Sequence, residues 1–227
     1  MYHSISEHIG KEKHNKWRVK PEDFEKQMNW FSDNNWNSFT ISELAKLDNI
    51  PEKSFVITFD DGFEDNYINA FPILQKFNFK ATIYLVPNQK TNHWEKENTS
   101  VISNLLDEKQ IIEMQNSGLI EFGSHTLSHV NLSKINDEQL FLELEKSKKE
   151  VENITKKECE AFAYPYGKFD DKIVESTKKV GYKNATVVKR GLFNKGDNIF
   201  TIKRIGILGT ESFFDFLLKI TRIRNKL

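Results

Sequence analysis

The chain has 227 residues, room for one large domain or at most two small ones and enough to bury a sizeable core. Its 33 Lys and Arg balance 33 Asp and Glu, so no global field draws it to nucleic acid or to an anionic membrane surface, and a neutral or weakly charged substrate suits it better. A lone cysteine, Cys159, excludes an internal disulfide and any cysteine-based zinc cluster, and it leaves the redox compartment open.

The opening residues, MYHSISEHIGKEKH, lack the apolar stretch of a signal peptide, and nowhere do roughly 20 apolar residues run together. The expectation is a chain with no transmembrane segment, cytoplasmic as written, and exported or envelope-associated if an extension precedes the strand-like start at Met1. Short runs rich in β-branched and aromatic residues then alternate with amphipathic stretches, the pattern of repeated βα units. In chain order the strands are SFVITF (54–59), ATIYLV (81–86), LIEFG (119–123), EAFAY (160–164), NATVV (184–188) and FTIKRIGI (200–207). Helices are expected over 66–77, over 107–117 with Gly118 as C-terminal cap, and from about 136, where Leu140, Leu144, Val151 and Ile154 share one face. Asp170 can cap a fourth that Gly181 stops, and a last one covers 212–220. Residues 88–106 are polar without a clean period and read as a long loop of the kind that shapes a cleft. No repeat, low-complexity tract or linker divides the chain, so 1–227 is taken as one catalytic domain. Six or seven βα units in this length favour an α/β fold of the distorted (β/α) barrel type, with about seven strands, over a flat doubly wound sheet.

Three constellations sit at predicted strand ends, where parallel α/β folds assemble their sites. In ITFDDGFEDNY, Asp60 and Asp61 follow the strand directly and Gly62 permits a sharp turn. Adjacent carboxylates repel unless a cation or a shared proton offsets them. Taken alone, Asp-Asp-Gly also reads as a solvated turn capping the next helix. In FGSHTLSHVNLS, His125 and His129 stand four apart, so both imidazoles can meet one ion if the segment coils by a turn, with a carboxylate from a neighbouring strand end completing the set. A histidine pair by itself also fits a hydrogen-bonded surface or core feature. In AFAYPYGKFD, Pro165 fixes one φ and Gly167 frees another, which can hold a backbone N–H, that of Tyr166, toward a developing oxyanion. The plainer reading there is a tight βα turn. His8, His14 and His93 have no motif context and read as surface residues. Trp17, Trp94 and Tyr166 read either as sugar-stacking rings or as packing.

TFDDG, then HTLSH, then YPYG, in this order and at these separations, resemble the polysaccharide deacetylases of carbohydrate esterase family 4, the nodulation-factor deacetylase homology domain. The resemblance covers most of the chain. It implies Asp60 as general base, Asp61, His125 and His129 as ligands of a divalent metal, most simply Zn2+ with Ni2+, Co2+ or Fe2+ as alternatives, and the Tyr166 N–H beside Pro165 as oxyanion donor. Two positions depart from the family pattern. Ala163 stands where an Arg usually orients the base, and no histidine follows His129 to act as the acid. A subgroup resembling the poly-N-acetylglucosamine deacetylases of biofilm synthesis carries its motifs in circularly permuted order, opening on Tyr-His-x-Ile. Here that segment is MYHSI, with KWRVKPEDFEKQMNWF and FTISEL also similar, and it makes His3 the acid. Arg204, on a late strand, is the candidate replacement for the missing Arg, although a surface arginine would look the same. The implied reaction is metal-assisted removal of N-acetyl groups from an N-acetylated saccharide, with release of acetate. Hydrolysis of a non-carbohydrate amide and a non-catalytic carbohydrate-binding role are the alternatives. Neither the sugar nor the oligomeric state can be read from the residues.

Overall fold

A computed structural model describes residues 1–96, 99 and 101–221. The expected loop residues 97, 98 and 100, and the end of the expected domain, 222–227, lie outside the described residues. Two short strands, β1 (Ser4–Ile5) and β2 (Arg18–Val19), pair in parallel ahead of helix α1 (Pro21–Asp33). Then come β3 (Asn37–Phe39), α2 (Ile41–Lys46), β4 (Ser54–Phe59), α3 (Phe71–Phe77), β5 (Ala81–Leu85), α4 (Glu108–Asn116), β6 (Ile120–Ser124), α5 (Asp137–Thr155), β7 (Ala161–Ala163), α6 (Asp171–Val180), β8 (Asn184–Thr186) and α7 (Phe213–Ile220). Strands β3 to β8 form one wholly parallel sheet in sequence order, so every strand ends on the same side and every connection crosses over through helix or loop.

The sheet curls into a barrel, and the chain start closes it. Tyr2 bridges Phe59 in parallel, with its N–H donating to Thr58 O at 2.8 Å and its carbonyl accepting from Asp60 N at 3.1 Å. On its other side, Met1 N donates to Ile205 O and Ile207 N donates to Met1 O, both at 2.9 Å. Residues 200–207 in turn meet β8 through the Thr186–Ile202 bridge. The ring therefore runs through the opening residues, β4, β5, β6, β7, β8 and 200–207, which accords with about seven staves. FTIKRIGI was expected as a full strand, but it pairs as a strand only at Ile202, because its neighbours on the two sides contact it at different heights. β3 shares an edge of β4 with Tyr2 and pairs only at its start. Between that start and 202–207 an apolar cavity of about 540 Å3 remains, lined by Trp36, Ile41, Leu44, Val56, Phe193 and Ile202.

Local chemistry explains where the elements begin. Capping boxes start α2 (Thr40 with Glu43), α4 (Asp107 with Gln110), α5 (Asn136 with Gln139) and α7 (Ser212 with Asp215). Asp170 caps α6, and Gly181 ends it at φ 100. The helix expected over 66–77 starts as a π turn, Asn66–Ala70, before becoming α at Phe71, because Pro72 supplies no N–H to continue a tighter ladder. The expectations for the opening region included neither α1 nor α2. Their signals were Pro21 at a first helical position and the Thr40–Glu43 box. No helix among the described residues is long and apolar enough to cross a membrane.

Candidate metal centre and active site

The ends of β4 and β6 bring three donors together. Asp61 follows β4 by two residues in a left-handed conformation (φ 75), and Gly62 continues the turn at φ 71. A Cβ at Gly62 would stand 2.9 Å from a Leu85 methyl carbon at the end of β5, so both conformation and close approach call for glycine. His125 leaves β6 with its N–H bonded to Leu85 O at 2.7 Å, and four residues later His129 sits at φ 56. Asp61 Oδ1 is 3.6 Å from His125 Nε2 and 3.2 Å from His129 Nε2, and all three side chains are buried.

Tautomers decide what this cluster is. His125 Nδ1 donates to Ala163 O at 2.7 Å, which leaves the Nε2 lone pair facing Asp61. Burial pushes the His125 pKa down to about 4, so the ring is neutral at pH 7 and forms no ion pair with the carboxylate. His129 Nδ1 lies 3.2 Å from the Tyr166 hydroxyl, which turns its Nε2 inward as well. Asp61 Oδ1 is buried and makes no hydrogen bond. The His125 lone pair, the His129 Nε2 and an Asp61 carboxylate oxygen thus converge in a buried space, a donor set that suits a cation. Three protein donors with nitrogen and oxygen atoms suit a divalent ion that keeps positions open for water and substrate.

Asp60, the neighbouring carboxylate, is held differently. Arg204 approaches it as a fork, Nη1 to Oδ1 at 2.5 Å and Nη2 to Oδ2 at 2.7 Å, while Nε donates to Val187 O and Nη1 also reaches Thr58 Oγ1. Both side chains are buried. Burial alone would raise the Asp60 pKa, but the guanidinium outweighs it and holds the carboxyl well below the usual carboxylate range. Arg204 therefore reaches Asp60 from the segment 200–207 rather than from Ala163, whose carbonyl instead holds His125.

His3 stands beside the same pair of acids. Its half-buried ring packs on Trp17 with centroids 4.6 Å apart, and its Nδ1 is buried without a hydrogen-bond partner among the described residues. The turn after β4 staples its backbone. Asp65 accepts from Ile5 N at 2.9 Å and Ser4 Oγ at 2.5 Å, and Asn66 Nδ2 donates to His3 O at 2.8 Å. At the end of β7, Pro165 is buried and Tyr166 turns at φ 58 with its side chain half-exposed.

The long loop folds over the Asp61, His125 and His129 cluster. Trp94 stacks on His129, centroids 4.6 Å apart and 16° between planes, and Trp94, His129 and Tyr166 line a cavity of about 590 Å3 with Ser128, Lys134 and Lys168 at its rim. Trp17 and Trp94 thus pack on site histidines. His14, expected at the surface, is only 14 % exposed and lies 3.6 Å from Glu95, because the loop closes over it; His8 is half-buried with its ring on Arg18 O, and His93 is exposed. Asp65, Asn66, Glu95 and Glu143 have structural parts at the site that none of the motifs assigns. For Glu143 a signal existed: it falls three residues after Leu140 on the buried stripe of α5, where an unpaired acid has no business.

Known proteins give this geometry its family. The polysaccharide deacetylase family profile matches residues 48–185. A poly-beta-1,6-N-acetyl-D-glucosamine N-deacetylase of Staphylococcus aureus (strain MRSA252) is 31% identical over 214 residues, covering 89% of this chain and 71% of the relative. Among solved structures, the polysaccharide deacetylase BC0361 from Bacillus cereus superposes with a TM-score of 0.81 at 35% identity, over 96% of this chain and 67% of that one. The Streptococcus pyogenes deacetylase PplD in complex with acetate does so with a TM-score of 0.84 at 25% identity, over 96% and 95% of the two chains. With its strand-end motifs, its barrel and these likenesses in agreement, the chain belongs to the polysaccharide deacetylase family.

Proposed function

We propose that the protein is a metal-dependent N-deacetylase that hydrolyses the acetamide of an N-acetylated saccharide to acetate and a free amine, with Zn2+ held by Asp61, His125 and His129. The observation that carries this reading is the meeting of three buried lone-pair donors at Asp61 Oδ1, next to a second carboxylate clamped by Arg204. A relative at 31% identity is named for poly-N-acetylglucosamine, which favours an acetylated sugar over other amides. The cavity walled by Trp94 and Tyr166 offers a sugar ring two aromatic faces.

When bound, the ion polarises the acetyl carbonyl and makes water acidic enough to attack near neutral pH. Asp60 takes the proton of that water. The Arg204 fork keeps Asp60 ionised and fixes its oxygens, which lowers its basicity but guarantees an open acceptor. The Tyr166 N–H, on the left-handed turn after β7, donates to the oxyanion that develops on the acetyl oxygen. His3 donates a proton to the departing amine nitrogen. The direct test is acetate release from N-acetylglucosamine oligomers, which a chelator should abolish and added Zn2+ restore; release untouched by chelation contradicts the reading.

Variants separate the roles. Asp61→Ala, His125→Ala and His129→Ala should each lose metal and activity together on dialysis, whereas Asp60→Asn should keep the metal and lose about 10²- to 10⁴-fold in rate. Full metal content in the first three, or near-normal turnover in the fourth, overturns the assignment. His3→Ala should retain metal and fold yet lose deacetylation of alkyl amides, while aryl acetates, whose leaving groups need no proton, suffer less; equal losses on both remove His3 as the acid. Arg204→Gln strips a buried carboxylate of its partner and should destabilise the fold by about 3–5 kcal/mol in chemical denaturation. The sign of the pH effect comes from the depressed Asp60 pKa. The pair's stabilisation is present above the ordinary carboxylate range and is lost as pH falls, so its removal flattens the acid side of the stability profile. In the same variant burial acts with less opposition, and the acid limb of activity should move to higher pH.

A further inference from the structure

Glu143 lies on α5, away from every motif, and is only 9% exposed on a stripe it shares with Leu140, Leu144 and Val151. Its carboxylate points into the turn between the two site histidines. Oε2 accepts from the N–H groups of Leu127 and Ser128 at 2.9 and 3.0 Å, and Oε1 accepts from Ser128 Oγ at 2.5 Å. The residues flanking this pair, Thr126 (φ 68) and His129 (φ 56), are both in the left-handed region that side chains other than glycine seldom adopt. His125 has independent anchors in Leu85 O and Ala163 O. Among the described residues His129 has no comparable backbone anchor; its ring touches Tyr166 and Trp94, which sit on short turns outside the sheet and long helices.

We infer that Glu143 is a positioning residue for the metal centre, clamping the strained Leu127–Ser128 turn so that the His129 imidazole is delivered to Asp61. The inference rests on reading Asp61, His125 and His129 as metal ligands. A buried acid in an apolar stripe is costly unless its lone pairs are used, and here the turn's two backbone donors and one hydroxyl use them. Those two N–H groups would otherwise be left without acceptors on the inner side of the loop. The turn and the carboxylate thus satisfy each other, and the sharp coil that separates two ligands by four residues persists because both ends of it are held.

The test is Zn2+ affinity by competition with a chromogenic chelator, in wild type, Glu143→Met, Glu143→Gln, His129→Ala and the Glu143→Met/His129→Ala double variant. Methionine keeps the volume and apolar fit of the stripe but offers no acceptor, and its Zn2+ affinity is expected to fall about 10- to 100-fold, the usual cost of losing a residue that orients a ligand. Glutamine keeps one oxygen for the two amides and should stay within a few-fold of wild type. Because the effect runs through His129, Glu143→Met should add nothing to the loss already caused by His129→Ala. Wild-type affinity in Glu143→Met, or an undiminished further loss in the double variant, overturns the inference. If the methionine variant does not fold, Ser128→Ala, which deletes only the hydroxyl arm, must weaken Zn2+ measurably, and unchanged affinity there overturns it equally. A wild type that binds no Zn2+ would instead sink the metal reading on which the inference rests.

Discussion

Two imidazole Nε2 atoms and a carboxylate oxygen pointing at one buried place are the interaction on which the rest of the site depends. Such a meeting is unfavourable in a buried space unless a cation resolves it. Much of the local architecture keeps the three in place. The Ala163 carbonyl sets the His125 tautomer, the Tyr166 hydroxyl meets His129, and the turn at Asp61 and Gly62 is possible only because the second residue lacks a Cβ. Adjacent in sequence, Asp60 and Asp61 are divided in role by what surrounds them: one faces a guanidinium fork, the other faces lone pairs. That separation of environments is how two identical groups come to do different chemistry.

Barrel closure and the site are one construction. The opening residues insert between β4 and 200–207, so the hydrogen bonds that close the ring at Tyr2 and Met1 also carry His3 and Arg204 to the two sides of Asp60. Ala163 and the lack of a histidine after His129 leave two positions of the family pattern unfilled, and these two closing segments bring an arginine onto Asp60 and a histidine near it. Asp65 and Asn66 tie the arrangement back to the turn after β4, so the motif that presents the carboxylates also holds the backbone of His3.

Much of this was legible in the residues because the strands are buried on both faces. SFVITF and ATIYLV read as strands of a parallel sheet and pair as such, and ligands gather at the loops that leave the carboxyl ends of such strands. TFDDG and HTLSH marked the strand ends at which Asp60, Asp61, His125 and His129 gather, and asking which side chain could replace the arginine absent at Ala163 led to Arg204, which pairs with Asp60. Other parts were hidden for physical reasons. Strand-like pairing at 200–207 is confined to Ile202, a detail of register that no periodicity reports. The fold of the polar loop over His14 and onto His129 depends on Trp94 finding a ring to stack on, a contact between residues 35 apart with no local signature. Glu143 is one of many glutamates on a charged helix and is distinguished only by its place on the buried face.

The central claim is that the convergence at Asp61 is a metal site, and anomalous diffraction tests it most directly. Crystals of the full chain grown with Zn2+ would be measured at wavelengths on either side of the zinc absorption edge. The account predicts one strong edge-dependent peak at about 2.0–2.2 Å from Asp61 Oδ1, His125 Nε2 and His129 Nε2, with Asp60 outside bonding distance and still on Arg204. A map with no such peak between those three atoms, or with both histidines hydrogen-bonded directly to Asp61, would contradict it.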